Sequence, residues 1–177
     1  MGPAYPFNAF QPEPEAKDWF NGKKPMHVSP YSRGSCREEF DGKEMKEVPG
    51  ECIKKELELF ESMARRYFDG AAAFREIAAS AEGRSREKAL RMAYLGEYMA
   101  RAVTTAKHVR EGTLAERAGD RGKAKAIAAL EHANTKAAIE LMKRDSRLGW
   151  EPTMGYQGGV PACEWKLRRI ERLYGVP

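Results

Sequence analysis

A chain of 177 residues is long enough for one domain with a packed core. Its 42% apolar and 32% charged residues fit an amphipathic helical protein and exclude global disorder. No stretch approaches the roughly 18–20 uncharged apolar residues of a membrane span. The opening Met1-Gly2-Pro3-Ala4-Tyr5-Pro6 has neither the basic nor the apolar region of a signal peptide. A cytoplasmic location and no membrane partner are therefore expected.

The net charge of +5 is modest, and residues 1–50 hold seven Lys/Arg against eight Asp/Glu, so the excess sits in the remainder. Opposite charges are interleaved there, as in Arg65-Arg66 near Asp69 and Glu140 near Lys143-Arg144. That pattern reads as a solvated helix face and argues against nucleic acid as a partner. Cys36, Cys52 and Cys163 form no CxxC or metal-ligand spacing and read as reduced thiols, with a Cys36–Cys52 bridge as the lesser alternative.

Residues 1–50 form an irregular arm or linker. They carry seven of the ten prolines and the rings of Tyr5, Phe7, Phe10, Trp19, Phe20, Tyr31 and Phe40. The prolines forbid a long helix, and the aromatics are too many for a disordered tail. The segment is expected to lie along an apolar surface, either its own bundle or a neighbouring domain.

Residues 51–177 read as a helical domain. Apolar residues at Ile53, Leu57, Phe60, Ala64, Tyr67, Ala71, Phe74 and Ala78 keep one face buried over about 28 residues, on the order of 40 Å. Gly70 interrupts this helix and is expected to mark a close helix–helix approach; Gly83 ends it. Ser85 is placed to cap a second helix, with Glu87 in its first turn. Its stripe is Met92, Leu95, Met99, Ala102, Ala106 and Val109, and Gly112 is placed to stop it.

Asp120 can cap the third helix, whose stripe is Ala124, Ile127, Leu130, Asn134, Ala138 and Leu141, widened by Ala137 and Met142. Gly149 is its natural stop. Trp150 to Gly159 reads as a turn-rich loop, and a short helix from near Pro161 sets Cys163, Leu167, Ile170 and Tyr174 on one side. The fold expected is all-α: a three-helix antiparallel bundle with a Pro- and aromatic-rich N-terminal arm and a short C-terminal helix.

No Glu-x-x-His, HExxH, GxSxG or Gly-rich phosphate loop occurs, so no catalytic residue, cofactor site or metal site is expected. Asn134 falls in a core stripe, where it fixes register or bonds a neighbouring helix. His108 and His132 read as helix-surface or interhelical residues. The most distinctive run is Arg144-Asp145-Ser146-Arg147-Leu148-Gly149-Trp150-Glu151-Pro152. It reads first as a stop motif, with basic residues at the negative helix end and Gly149 in the left-handed turn. Its functional reading is a docking or ligand loop formed by Arg147, Trp150, Glu151 and Tyr156. There, Trp150 or Tyr156 stacks on a flat partner and Arg147 pairs with a carboxylate.

The runs Asn134-Thr135-Lys136-Ala137-Ala138-Ile139-Glu140-Leu141-Met142, Asp145 to Pro152 and Glu164-Trp165-Lys166 resemble the C-terminal helical region of large bacterial proteins with a hexosaminidase-like glycoside hydrolase barrel. The resemblance covers residues 50–174. In such enzymes the paired catalytic carboxylates belong to the barrel, so no catalytic role carries over to any residue here. It implies a C-terminal piece of such a protein or a stand-alone relative. The function expected is a non-catalytic accessory domain that supports the barrel and borders a carbohydrate site. The alternative is a stand-alone helical module whose partner is another protein.

Overall fold

The computed structural model describes residues 50–151 and 157–176. The N-terminal arm, residues 152–156 and Pro177 lie outside the described residues. The fold is all-α, and the described residues form four helices: α1 (Gly50–Ser80), α2 (Gly83–Arg117), α3 (Arg121–Arg144) and α4 (Gly159–Tyr174). Between α3 and α4 a two-residue antiparallel pair, β1 (Trp150–Glu151) and β2 (Gln157–Gly158), aligns Trp150 with Gly158 and Glu151 with Gln157. This hairpin stands where the sequence pattern gave only a loop. Among the described residues no helix is long and apolar enough to cross a membrane.

The helices pack in chain order, α1 on α2, α2 on α3 and α3 on α4. Residues paired across each seam run in opposite order. Glu61 meets Lys107 while Arg75 meets Glu97, and Arg101 meets Asn134 while Thr105 meets Glu131. The long middle helix thus has neighbours on two sides, and α1 and α3 scarcely meet. Of the α1 stripe, Phe60, Ala64, Ala71 and Ala78 are buried, Leu57 and Phe74 are half-buried, and Tyr67 is exposed.

The single stripe read for α2 holds only in part, with Ala102 and Val109 buried. Met92 and Leu95 are 45% and 42% exposed, whereas Ala93, Ala100, Val103, Thr105 and Arg110 are buried. A helix held between two neighbours buries two faces, so no one stripe describes it. In α3, Leu130 is 58% exposed, and Glu131, His132 and Thr135 lie inside instead.

Several boundaries also shift. Helix α2 starts at Gly83 after Glu82, which makes no side-chain cap bond, so Ser85 falls within the first turn. Gly112 is buried inside the helix, which runs on to Arg117 and takes in Leu114; Gly119 supplies the left-handed turn, with φ of 72°. Asp120 caps α3 as expected, accepting from the Lys123 N–H at 2.9 Å. Helix α3 ends at Arg144, earlier than Gly149, and α4 begins at Gly159, earlier than Pro161.

The close approach expected at Gly70 is absent, since a Cβ there would meet nothing within 4 Å. Gly96 on α2 makes that approach instead. A Cβ on it would lie 3.3 Å from the Ala71 Cβ and 3.4 Å from the Tyr67 carbonyl oxygen. Helix α4 closes the α2–α3 side, where Cys163 and Leu167 join Tyr98, Ala138, Leu141 and Met142 in one apolar cluster.

Candidate functional site

Two places gather chemistry-bearing side chains, one sealed in the core and one at the surface. The sealed one centres on Glu131, which is 2% exposed. Its Oε1 accepts from the Thr105 hydroxyl at 2.7 Å, the Thr135 hydroxyl at 3.2 Å and the Lys166 ammonium. Its Oε2 lies 2.7 Å from His108 Nδ1. Asn134 completes the cluster, its Nδ2 donating to the Arg101 carbonyl at 3.0 Å and to the Thr105 hydroxyl at 3.1 Å. Asn134 thus ties α3 to α2, and His108 is interhelical. His132 reaches the other way, its Nε2 2.8 Å from Glu171 on α4.

Burial would raise the Glu131 pKa, but the charges of Lys166 and His108 and their hydrogen bonds outweigh it and hold the carboxyl at about 2. Lys166 is wholly buried, so the pair has no solvent face on which to meet a substrate. A second buried ion pair joins Arg110 and Glu56, with Nη2 donating at 2.8 Å. Cys163 is a free thiol, and burial pushes its pKa up to about 11, which leaves it unreactive near neutrality. Among the described residues no group of three or more His, Cys, Asp or Glu is placed to hold a metal.

The surface place is a groove of about 410 Å³ where the start of α2 meets the end of α3. Glu87, Leu90, Arg91 and Tyr94 form one wall, and Arg144, Asp145, Ser146 and Arg147 form the other. The second wall belongs to the most distinctive run of the sequence. The backbone reverses there because the Leu148 N–H donates to the Asp145 carbonyl at 3.0 Å and Gly149 takes φ of 89°. The Gly159 N–H then donates to the Gly149 carbonyl at 2.7 Å, locking the loop to the head of α4.

Arg147 does pair with a carboxylate, but one within its own turn. Its Nε and Nη2 donate to the two oxygens of Asp145 at 2.8 and 2.6 Å. These bonds pull the Asp145 carboxyl below its ordinary range. The Tyr94 ring lies between two guanidinium groups, with Arg75 at 5.7 Å and Arg144 at 5.9 Å from its centroid. Comparison with family models, with curated proteins and with solved structures gave no match.

Of the four residues singled out in the sequence, Arg147 lines the groove. Trp150 and Glu151 are placed by their backbone in β1, while their side chains and the whole of Tyr156 lie outside the described residues. Sequence reasoning missed the other wall. Its only signal was Tyr94 beside Leu90 and Arg91 at the head of a helix, one turn away from the stripe that drew attention. Glu131 and Lys166 were missed too, although each falls in an apolar register, beside Ile127 and Ala138 and between Cys163 and Ile170.

Proposed function

We propose that this chain is a non-catalytic helical module that works by docking, with the groove between α2 and the turn after α3 as its contact surface. Three long antiparallel helices form the scaffold, and α4 braces it. The observation that supports this reading is the Tyr94 ring flanked by Arg75 and Arg144, beside Arg91, in a groove whose Asp145 is already committed to Arg147. Ring and guanidinium together suit a protein partner that presents a carboxylate next to an apolar side chain. The Glu131–Lys166 and Glu56–Arg110 pairs are each closed within the core, which suits a scaffold.

The resemblance to the region following a hexosaminidase-like barrel gives the docking partner a specific form. The neighbour would be such a barrel, with Trp150, Glu151 and Tyr156 along the edge of its carbohydrate site. Without the barrel, the same groove would serve a stand-alone protein–protein interaction module.

Calorimetric titration with a peptide alternating Glu and Leu tests the docking chemistry. Measurable binding is expected, weakened about tenfold or more by Arg144→Ser with Arg91→Ser and weakened again by raised salt. Binding that is absent, or indifferent to both substitutions, would remove the groove from the account. A parallel titration with N-acetylglucosamine oligomers, with and without Trp150→Ala, reads out the carbohydrate edge on its own.

A further inference from the structure

The α1–α2 pair has two long edges of opposite character. One is closed by Arg75, Glu97 and Arg101 in an ion ladder, with the Arg101 guanidinium 5.6 Å from the Phe68 ring centroid. The other edge is apolar and open. On α1 it carries Leu59, Met63, Tyr67, Phe74 and Ile77, at helical spacing, with Leu59 56% and Ile77 52% exposed. On α2 it carries Met92, Leu95 and Met99.

Met63 and Ala106 both pack against the cluster of Phe60, Ala64 and Val103, and helical spacing puts the two stripes on the side of the pair away from Arg75 and Glu97. Farther along the α2 stripe, Trp165 and Tyr174 of α4 cover Val109, so on α2 the stripe is open at its Met92–Met99 end. Gly70 lies in the middle of the edge with open space around it. Isolated exposed apolar residues need no explanation, but a continuous stripe over two helices marks an interaction surface.

We propose that the occupant is the chain's own first 49 residues, folded back along this edge. The segment joins α1 at Gly50, two to three turns before Leu59. The edge from Leu59 to Ile77 spans roughly 27 Å at 1.5 Å per residue. At about 3.1 Å per residue an extended proline-rich segment reaches several times that length. It brings seven aromatic rings spaced among prolines, the material an apolar stripe lacks.

Charge favours the same match. Residues 1–49 hold seven basic and eight acidic residues, against twenty-four and eighteen in the rest. The tether also gives the segment an effective concentration in the mM range, ahead of any second copy at ordinary protein concentration. The groove lined by Leu90, Arg91 and Tyr94 lies at the same end of α2 but opens towards the turn after α3, and nothing in this argument depends on it.

Photocrosslinking on the full chain tests the proposal, with Met92→p-benzoylphenylalanine as the probe and Leu130→p-benzoylphenylalanine, on an exposed site of α3, as the control. Crosslinks from position 92 to peptides of residues 1–49 within one chain are expected, at least tenfold more abundant than from position 130. Crosslinks that join two chains would overturn the proposal in favour of a second copy. Crosslinks confined to residues 50–177, or equal yields from both positions, would overturn it outright. Leu95→Glu, a surface change that spares the core, is expected to speed protease cleavage within residues 1–49 about tenfold at unchanged helicity; unchanged cleavage would count against the contact.

Discussion

The α1–α2 seam and the α2–α3–α4 seam are built from different materials. Along the first, small residues bring two backbones together, Gly96 against Ala71, and most charges stay at the rim, as in Arg75–Glu97–Arg101. Along the second, the interior itself is charged, with Glu131, Lys166, Thr105, Thr135 and Asn134 bonded to one another beneath α4. Rim ions can fall back on water, so each contributes little. An ion in the sealed cluster has no such recourse, and losing its partner leaves a bare charge in the core. The first seam should therefore tolerate polar substitution along its rim, away from the buried Glu56–Arg110 pair, and the second should not.

The largest expected effect follows directly. Lys166→Met should cost about 3–5 kcal/mol in denaturant unfolding, because it strands the Glu131 carboxylate. Arg75→Ala at the rim should cost under about 1 kcal/mol. Pairing Lys166→Met with Glu131→Leu should recover much of the loss, since it removes the stranded charge as well. Equal costs at Lys166 and Arg75 would break the contrast between the seams.

A smaller effect belongs to the turn that leads from the charged seam into α4. Gly149→Ala should destabilise by about 1–3 kcal/mol, because its positive φ disfavours a side chain and the new Cβ would run into the Met142 sulfur. The smallest effect sharpens the picture of the first seam. Gly70→Ala should stabilise by roughly 0.5–1 kcal/mol, since the site is helical, exposed and uncrowded. Gly96→Ala should lose that gain against Ala71 and Tyr67. Thermal melts of the two variants side by side would show it.

How much of this was legible in the sequence depended on how many neighbours each helix has. Helix α1 packs chiefly against one partner, and its period-3.6 stripe named Phe60, Ala64, Ala71 and Ala78 correctly. The short α4 stripe held for Cys163, Leu167 and Ile170. Helix α2 buries two opposite faces. The stripe from Met92 to Val109 was a real face, but α4 covers it only at one end. In α3 a charged residue inside an apolar register was passed over in favour of Leu130, because only the distant Lys166 makes a buried Glu131 tenable. The run from Arg144 to Gly149 was legible as a turn from its glycine and its basic residues. Its groove was not, since the facing wall lies some fifty residues earlier on α2.

The most direct test of the sealed ionic core is the titration of the Glu131 side chain by carbon-detected NMR in the full chain. Lys166 and His108 should keep its pKa near 2, well below the ordinary 4.5. Because the folded value is depressed, the stability that this carboxylate contributes is whole above about pH 5 and drains away as the pH falls towards 2. A midpoint near 4.5 or above, with no loss of stability through that window, would contradict a structural carboxylate locked between α2, α3 and α4.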